Sequence, residues 1–127
     1  MKVTICGAGR TGHLNAVLFR QQPNVSVSVF TRNAELAELW ASGESQWEAH
    51  TADGGVLSAR PDYVGVDAER ALSQTDLVVV TQPAQVRAGL LEQLAPHLPQ
   101  ERRVFLGAIP GFCGFDWLAA EVLAGHD

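Results

Sequence analysis

The spacing of apolar residues in the first third of the chain predicts alternating strands and helices. Residues 3–6 predict a buried strand, and residues 25–30, where valine alternates with serine, predict a second one. Between them, apolar side chains at helical spacing predict a helix that ends near Gln22; they are Leu14, Val17 and Leu18. Asn33 suits the N-cap of a second helix, which Gly43 would end. This order is typical of a parallel sheet covered by helices.

The pattern is interrupted in the middle of the chain. Residues 47–60 contain two short apolar segments that meet at Asp53-Gly54, and this arrangement predicts a β-hairpin. Residues 63–66 then predict a further strand, and Asp67 is a candidate cap for a short helix that runs to about Ser73. We therefore expect the hairpin to be an insertion around residues 47–60 on an α/β scaffold.

The second half of the chain returns to strands and helices. Residues 77–81 form the most continuous apolar run and predict an interior parallel strand. Pro83 begins a predicted helix, whose buried face we expect at Val86, Leu90, Leu91 and Leu94. A strand at 104–106 and an amphipathic helix at 116–123 complete the series. The expected fold class is α/β, with a doubly wound, mostly parallel sheet and helices on both faces.

Composition narrows the class of protein. With 127 residues, 46% hydrophobic and 18% charged, the chain fits one globular domain. Its net charge of −5 argues against general nucleic-acid binding, and no apolar run is long enough to span a membrane. Residues 1–10 lack the features of a signal peptide, and Cys6 and Cys113 provide no disulfide framework. We therefore expect a reducing, cytoplasmic setting.

A glycine-rich loop follows the first predicted strand. Residues 7–12 match the pattern G-x-G-x-x-G, and a predicted helix follows them. In that pattern Gly7 makes the tight turn, Gly9 admits the pyrophosphate, and Gly12 lets the helix lie close to the strand. Residues 1–33 are therefore predicted to form the phosphate-binding half of a Rossmann unit for a nicotinamide dinucleotide. The alternative is a glycine-rich turn that binds no ligand or a different nucleotide-like ligand.

The end of the second predicted strand bears on the choice between NAD and NADP. An acidic residue here would bind the ribose 2′-hydroxyl, but the chain has Thr31, Arg32 and Asn33, and the nearest acid is Glu35. Arginine suits a 2′-phosphate, and Arg10 would add positive charge from the loop. We therefore favour NADP, with NAD as the alternative if Arg32 is only a surface residue.

Other strand ends should lie at the same edge of the sheet, where ligands bind. Thr81 and Gln82 are expected to border the nicotinamide and its ribose, with Pro83 stiffening the turn. The predicted cofactor-binding residues are Gly7, Ala8, Gly9, Arg10, Thr11, Gly12, Thr31, Arg32, Asn33, Thr81, Gln82 and Pro83. The four histidines stand in no visible constellation with a carboxylate, and no metal-ligand spacing is present, so we predict neither a catalytic residue nor a metal site.

Three segments resemble the octopine/nopaline (opine) dehydrogenase family. Residues 3–13 (VTICGAGRTGH) end in a small residue and a histidine, as that family's glycine loop tends to do. Residues 76–84 (DLVVVTQPA) resemble its strand with a Pro-Ala turn, and residues 107–115 (GAIPGFCGF) are similar to its Gly/Pro-rich segment. Only the first motif is specific beyond Rossmann proteins in general. Ketopantoate reductases share this amino-terminal architecture and remain an alternative.

The resemblance implies an oxidoreductase that acts on CH–NH donors. NAD(P)H would deliver hydride to the imine of an amino acid and a 2-oxo acid, with catalytic side chains in a carboxyl-terminal helical domain. Residues 1–127 would then be the cofactor-binding domain alone, and we expect this domain not to catalyse the reaction by itself. Its expected partners are the dinucleotide and either that second domain or another copy of the chain. We expect a second copy to bind through apolar surface near Trp117. The alternative function is a non-catalytic nucleotide sensor.

Overall fold

The computed structural model describes residues 1–43, 46–109 and 115–124, which fold into strands and helices in the predicted order. The strands are β1 (Lys2–Cys6), β2 (Ser26–Phe30), β3 (Trp47–His50), β4 (Val56–Ala59), β5 (Tyr63–Gly65), β6 (Leu77–Val80) and β7 (Phe105–Ala108). The helices are α1 (Arg10–Arg20), α2 (Ala34–Ala41), α3 (Ala68–Leu72), α4 (Ala84–Leu94) and α5 (Phe115–Leu123), with a short 3₁₀ helix at Ala95–His97. The α/β class predicted from the sequence is confirmed.

Five of these strands form one parallel sheet in the order β5-β2-β1-β6-β7. The chain moves from β1 outward to β2 and β5, then returns to β6 on the other side of β1. Cys6, the last residue of β1, pairs with Phe30 of β2 and with Val80 of β6. The loops after these three strands therefore meet at one edge, above the point where the strand order reverses, and this is where α/β sheets bind ligands.

Helices cover the two faces of the sheet. One face carries α1, α2 and the β3–β4 hairpin over alternate residues of the strands, including Ile5 and Val29. The other face carries α3, α4 and α5 over the intervening residues, including Cys6 and Phe30. These strand residues are almost fully buried, as expected for a parallel sheet with helices on both sides.

The predicted hairpin insertion is confirmed. Strands β3 and β4 pair antiparallel in a separate two-stranded sheet, and Gly54 in their connecting turn has a positive φ of 89°. Trp47 and Ala49 point inward and are buried against the core that α1 shares. The His13 ring of α1 stacks on Trp47 at 4.5 Å between centroids, and its Nε2 lies 3.2 Å from the Glu48 carbonyl oxygen. The hairpin therefore supports the first turn of α1.

The helix predicted from Leu14, Val17 and Leu18 is confirmed as α1, but these residues do not together form its buried face. Leu14 and Leu18 are 45% and 43% exposed, whereas Gly12, Ala16 and Val17 are buried. Small residues at i and i+4 let the helix approach the sheet closely, and this packing outweighed the hydrophobicity of the leucines. Large apolar residues therefore located the helix, but among them only Val17 belongs to its buried face.

The buried face of α4 also differs from the prediction. Leu90, Leu91 and Leu94 are buried as expected, but Val86 is only half-buried. The fourth buried position is Arg87, which is 2% exposed. The spacing 87, 90, 91, 94 is a regular helical stripe. Position 87 was not predicted as a core position because arginine is a charged residue.

Aspartates stabilise the opposite, amino-terminal edge of the sheet. Asp76 Oδ2 accepts a hydrogen bond from the Lys2 backbone N–H at 2.8 Å, and Asp62 Oδ2 accepts one from Val27 N–H at 2.7 Å. Arg102 Nη2 lies 2.5 Å from Asp76 Oδ1. The Lys2 N–H is the main cause that holds the pKa of Asp76 below its ordinary value, and Arg102 adds to it. Each carboxylate thus accepts a hydrogen bond from a backbone N–H near the start of a neighbouring strand.

The second half of the sheet is less fully covered. Phe105 of β7 is 63% exposed, and it lines a 620 Å³ depression with Met1, Leu77 and Arg103. On α5, Trp117 is 81% exposed, as expected from the sequence.

Among the described residues no helix has the length and apolar character needed to cross a membrane. Pro110, Cys113 and His126 lie outside the described residues.

Candidate functional site

The loop after β1 has the backbone geometry of a tight turn. Gly7 has φ +123°, a conformation that side-chain-bearing residues rarely adopt, and its N–H donates to the Phe30 carbonyl at 2.9 Å. A Cβ built on Gly7 would lie 2.5 Å from Thr81 Oγ1 and 3.2 Å from Gln82 Nε2. Glycine is therefore required here by backbone conformation and by space.

Gly12 lies in the first turn of α1, directly against this loop. A Cβ built on Gly12 would lie only 1.9 Å from the Gly7 carbonyl oxygen and 2.7 Å from the Gly7 carbonyl carbon. Both atoms belong to the backbone, so no side-chain rotation relieves the overlap. The absence of a side chain at Gly12 therefore sets how closely α1 begins against the end of β1.

Gly9 is different, because no protein atom would lie within 4 Å of its added Cβ. It is the N-cap of α1, has an ordinary φ of −74°, and offers no side-chain cap, while the first turn of the helix contains no acidic residue. The first intrahelical bond here runs from His13 N–H to the Gly9 carbonyl at 2.9 Å. The preceding backbone N–H groups and the positive end of the helix dipole are thus available to an anion.

A cavity of 390 Å³ opens beside the loop at the carboxyl edge of the sheet. It is lined by Ala8, Gly9, Thr31, Arg32, Asn33 and Gln82. The structure therefore brings together residues from three separate segments that the sequence pattern singled out. Within the described residues no group of histidine, cysteine and acidic side chains could hold a metal ion here or elsewhere.

The three residues after β2 have different roles. Thr31 is buried, and its Oγ1 accepts a hydrogen bond from the Asn33 N–H at 3.0 Å. Asn33 Oδ1 in turn accepts from the Leu36 N–H at 3.2 Å, as the predicted cap of α2. Arg32 is exposed and makes no hydrogen bond or ion pair with the described residues. Arg32 is therefore the residue of this group whose side chain remains available to a ligand.

The residues after β6 divide in the same way. Thr81 Oγ1 donates to the Cys6 carbonyl at 3.1 Å, and its backbone N–H donates to the same oxygen at 3.0 Å. Thr81 thus ties β6 to β1 beneath the loop. The Gln82 side chain extends over Gly7 and lines the cavity. Pro83 is the exposed N-cap of α4, where its ring restricts the turn.

Arg10 and Thr11 do not line this cavity. Arg10 borders a second space of 410 Å³ between the glycine loop and the hairpin, together with His13 and Glu48. Thr11 uses its carbonyl to accept a hydrogen bond from Asn15 Nδ2 at 2.8 Å. Ala8 and Gly9 line both spaces, so the two cavities are neighbours on either side of the loop.

The thiol of Cys6 lies beneath the loop at the end of β1. The side chain is fully buried, and this burial raises the pKa of Cys6 to about 12. A thiol with so high a pKa carries almost no thiolate at neutral pH, and thiolate is the reactive form. Cys6 is therefore a packing residue rather than a nucleophile.

Sequence reasoning missed two residues that support the site. Arg87 Nε donates to the Gln82 carbonyl at 2.9 Å, and the regular spacing of the α4 stripe was the signal that could have revealed it. The contact between His13 and Trp47 joins the first turn of α1 to the hairpin, but no local pattern specifies such a long-range pair. The first contact is local, within five residues, whereas the second depends on how separate elements pack.

The chain is similar to known dehydrogenases in sequence and in fold. No protein-family model matches the sequence. The tauropine dehydrogenase of Arabella iricolor is 33% identical over 91% of the chain and 30% of its own length. A structure of octopine dehydrogenase in complex with NADH and agmatine superposes with a TM-score of 0.84 at 28% identity, over 97% of the chain and 32% of that protein. The chain is homologous to opine dehydrogenases.

This homology extends to a bacterial relative. The uncharacterized protein y4xO of Sinorhizobium fredii is 63% identical over the whole chain, which corresponds to 34% of that protein. The chain thus spans about a third of the length of the curated relatives that it matches.

The ketopantoate reductase alternative is supported at the level of the fold. A putative 2-dehydropantoate 2-reductase from Enterococcus faecalis superposes with a TM-score of 0.68, covering 96% of the chain and 37% of that protein. Its sequence identity is 15%, which shows shared architecture alone. The opine dehydrogenase homology is therefore the more specific of the two.

Proposed function

We propose that this chain is the nicotinamide-dinucleotide-binding domain of an oxidoreductase related to opine dehydrogenases, and that it binds NADPH in preference to NADH. The observation that carries the proposal is the close approach of Gly12 to Gly7, which sets the uncapped amino terminus of α1 beside the cavity. A pyrophosphate suits this position, because free backbone donors and the helix dipole both favour negative charge. The complex of octopine dehydrogenase with NADH supports the cofactor class.

The preference for NADPH rests on the side chains that follow β2. Arg32 extends from the rim of the cavity without a partner among the described residues, whereas Thr31 and Asn33 direct their side chains to the backbone. None of the described residues that line the cavity carries a carboxylate, and the nearest acid in the sequence, Glu35, lies in the first turn of α2. A guanidinium can bind the oxygens of a 2′-phosphate, while a 2′-hydroxyl would find no acidic acceptor.

The proposed reaction follows from the homology. Bound dinucleotide would supply hydride to the imine formed from an amino acid and a 2-oxo acid. The described residues of this chain would bind and orient the cofactor. His13 and Glu48 line the space beside the hairpin, but the His13 ring contacts the Glu48 backbone carbonyl. We assign substrate binding and proton transfer to a second domain, corresponding to the two thirds of the relatives that this chain does not cover.

Calorimetric titration with NADPH and NADH tests the binding role. Gly9→Ala adds a methyl group that no protein atom contacts, so folding should be unchanged while the methyl group occupies space needed by the pyrophosphate. We expect affinity for both dinucleotides to fall at least tenfold. Gly89→Ala, on the exposed side of α4, is the matched control and should bind as the wild type does. Absence of binding by the wild type at millimolar ligand would refute the proposal.

A second substitution tests the choice between the two dinucleotides. Arg32→Ala should weaken NADPH binding by roughly tenfold or more, since charge-assisted hydrogen bonds contribute about 1.5–3 kcal/mol, and should leave NADH binding nearly unchanged. Arg103→Ala removes an exposed arginine that lines the depression beside Phe105, and it serves as the charge-matched control. Equal losses for NADPH and NADH would exclude the 2′-phosphate role while leaving dinucleotide binding intact.

A further inference from the structure

Arg87 is a charged residue in the apolar core, and its surroundings connect it to the candidate site. It is 2% exposed on the stripe of α4 that contains Leu90, Leu91 and Leu94. Arginine is almost never buried to this extent unless its donors are paired. The retention of a guanidinium here, rather than a fourth leucine, therefore calls for a role that an apolar side chain cannot perform.

The contacts of Arg87 link two loops at the carboxyl edge of the sheet. Its Nε donates to the Gln82 carbonyl at 2.9 Å, in the turn between β6 and α4. Its guanidinium carbon lies 5.5 Å from the centroid of the Phe115 ring, at the start of α5. The flat guanidinium thus holds the turn after β6 and packs against the helix that follows β7.

The turn depends on this contact because it is only partly fixed by other bonds. Thr81 is held to β1 through two hydrogen bonds to the Cys6 carbonyl. Pro83 provides no side-chain cap for α4. Gln82, between them, has its carbonyl bound by Arg87 while its side-chain amide extends over Gly7 toward the cavity. The bond from Arg87 therefore restrains the backbone from which the Gln82 side chain extends toward the cavity.

We propose that Arg87 is a positioning residue, which fixes the Gln82 backbone so that the Gln82 side-chain amide can hydrogen-bond to the dinucleotide over the glycine loop. This inference rests on the proposed dinucleotide-binding function. It predicts that Arg87 contributes to affinity through Gln82 and not through its own charge, since the guanidinium is buried on the helix side of the turn.

A double-mutant cycle on the full chain tests this coupling. Arg87→Met keeps the length and apolar contacts of the side chain and removes the donor, while Gln82→Ala removes the amide. We expect each single variant to weaken NADPH binding about tenfold, a typical effect of one hydrogen bond between a protein and a ligand. The double variant should bind no more weakly than Gln82→Ala alone. Arg103→Met is the matched control and should bind as the wild type does.

The outcomes separate this inference from the proposed function. Wild-type affinity in Arg87→Met, or losses that add in the double variant, would overturn the positioning role while dinucleotide binding stands. A wild-type chain that binds neither dinucleotide would overturn both proposals. If Arg87→Met does not fold, as judged by its thermal transition, Arg87→Leu takes its place in the cycle. That variant matches the other residues of the buried stripe and has no donor, so the same tenfold loss is expected.

Discussion

Gly12→Ala tests how the glycine loop positions helix α1. The added methyl carbon would lie 1.9 Å from the Gly7 carbonyl oxygen, 2.7 Å from its carbonyl carbon and 3.1 Å from Thr81 Oγ1. Unstrained contacts between such atoms are longer than 3 Å, so the start of α1 or the Gly7 peptide must shift by roughly 1 Å or more. Gly7 cannot shift freely, because its N–H is bonded to Phe30 and its φ is +123°. The helix must therefore move outward.

The outward movement has a calculable cost. It separates Ala16 and Val17, which are 1% exposed, from the sheet that they cover. Strain from an added methyl group in a packed region typically costs about 1–3 kcal/mol, and the value belongs at the upper end here because backbone atoms make the contact. Replacing glycine by alanine in a helix also stabilises the helix by up to about 1 kcal/mol, which offsets part of this strain. We expect a net destabilisation of about 2 kcal/mol, equivalent to a fall in Tm of about 8 °C for a chain of this size.

Thermal and urea unfolding, followed by circular dichroism, measure this change. Gly89→Ala is the internal control, since it makes the same chemical change in the interior of α4, where its Cβ meets no atom within 4 Å. That variant should gain about 0.5–1 kcal/mol from helix propensity. A Gly12→Ala protein as stable as Gly89→Ala would refute the reasoning, because the overlap with Gly7 would then carry no cost.

Three further outcomes are expected. The pKa of Asp76 is lowered chiefly by the Lys2 N–H, so its carboxylate stabilises the fold above its unfolded pKa of about 3.9 and loses this effect as the pH falls through the folded value. Asp76→Asn should therefore lower the free energy of unfolding at neutral pH. The variant should also lose less of that free energy than the wild type as the pH falls, as measured by urea unfolding across pH. Maleimide at pH 8 should not label Cys6 until urea is added, as shown by peptide mapping that resolves it from Cys113. Trp117→Ser should reduce self-association in sedimentation velocity, and a wild type that stays monomeric at high concentration would contradict this.

Much of the fold could be predicted because local signals agreed with one another. Glycine, asparagine and proline marked the ends of elements: Asn33 caps α2, Gly43 follows it with a φ of 79°, and Pro83 precedes α4. The apolar run at residues 77–81 identified an interior strand, and β6 lies within the parallel sheet. These features depend on neighbouring residues, so the sequence expresses them directly.

The errors came from packing that local patterns do not express. Leu14 and Leu18 are partly exposed because small residues, Gly12 and Ala16, form the contact between α1 and the sheet. Arg87 is buried beside the turn that precedes α4, and this turn supplies an acceptor for its guanidinium. Each helix thus packs through contacts outside itself, and these cannot be read from spacing within one helix.

The candidate site shows the same division. Sequence spacing brought the glycine loop and residues 31–33 to one edge, where they line a common cavity. It did not distinguish Arg32, whose side chain is available, from Thr31 and Asn33, whose oxygen atoms accept backbone hydrogen bonds. It also grouped Arg10 with Arg32, although the two lie on different sides of the loop. Parallel topology is predictable from order along the chain, whereas the direction of each side chain follows from its hydrogen bonds.

The uncovered side of β7 has a practical consequence for handling the protein. Within the described part of the chain β7 pairs with β6 alone, so its outer edge presents unpaired backbone donors and acceptors beside an exposed Phe105. An open strand edge next to an apolar ring is a template on which a strand of another molecule can add. Concentrated samples should therefore aggregate by intermolecular β pairing at this edge. Phe105→Lys should reduce this aggregation, because edge strands with a charged side chain resist such pairing.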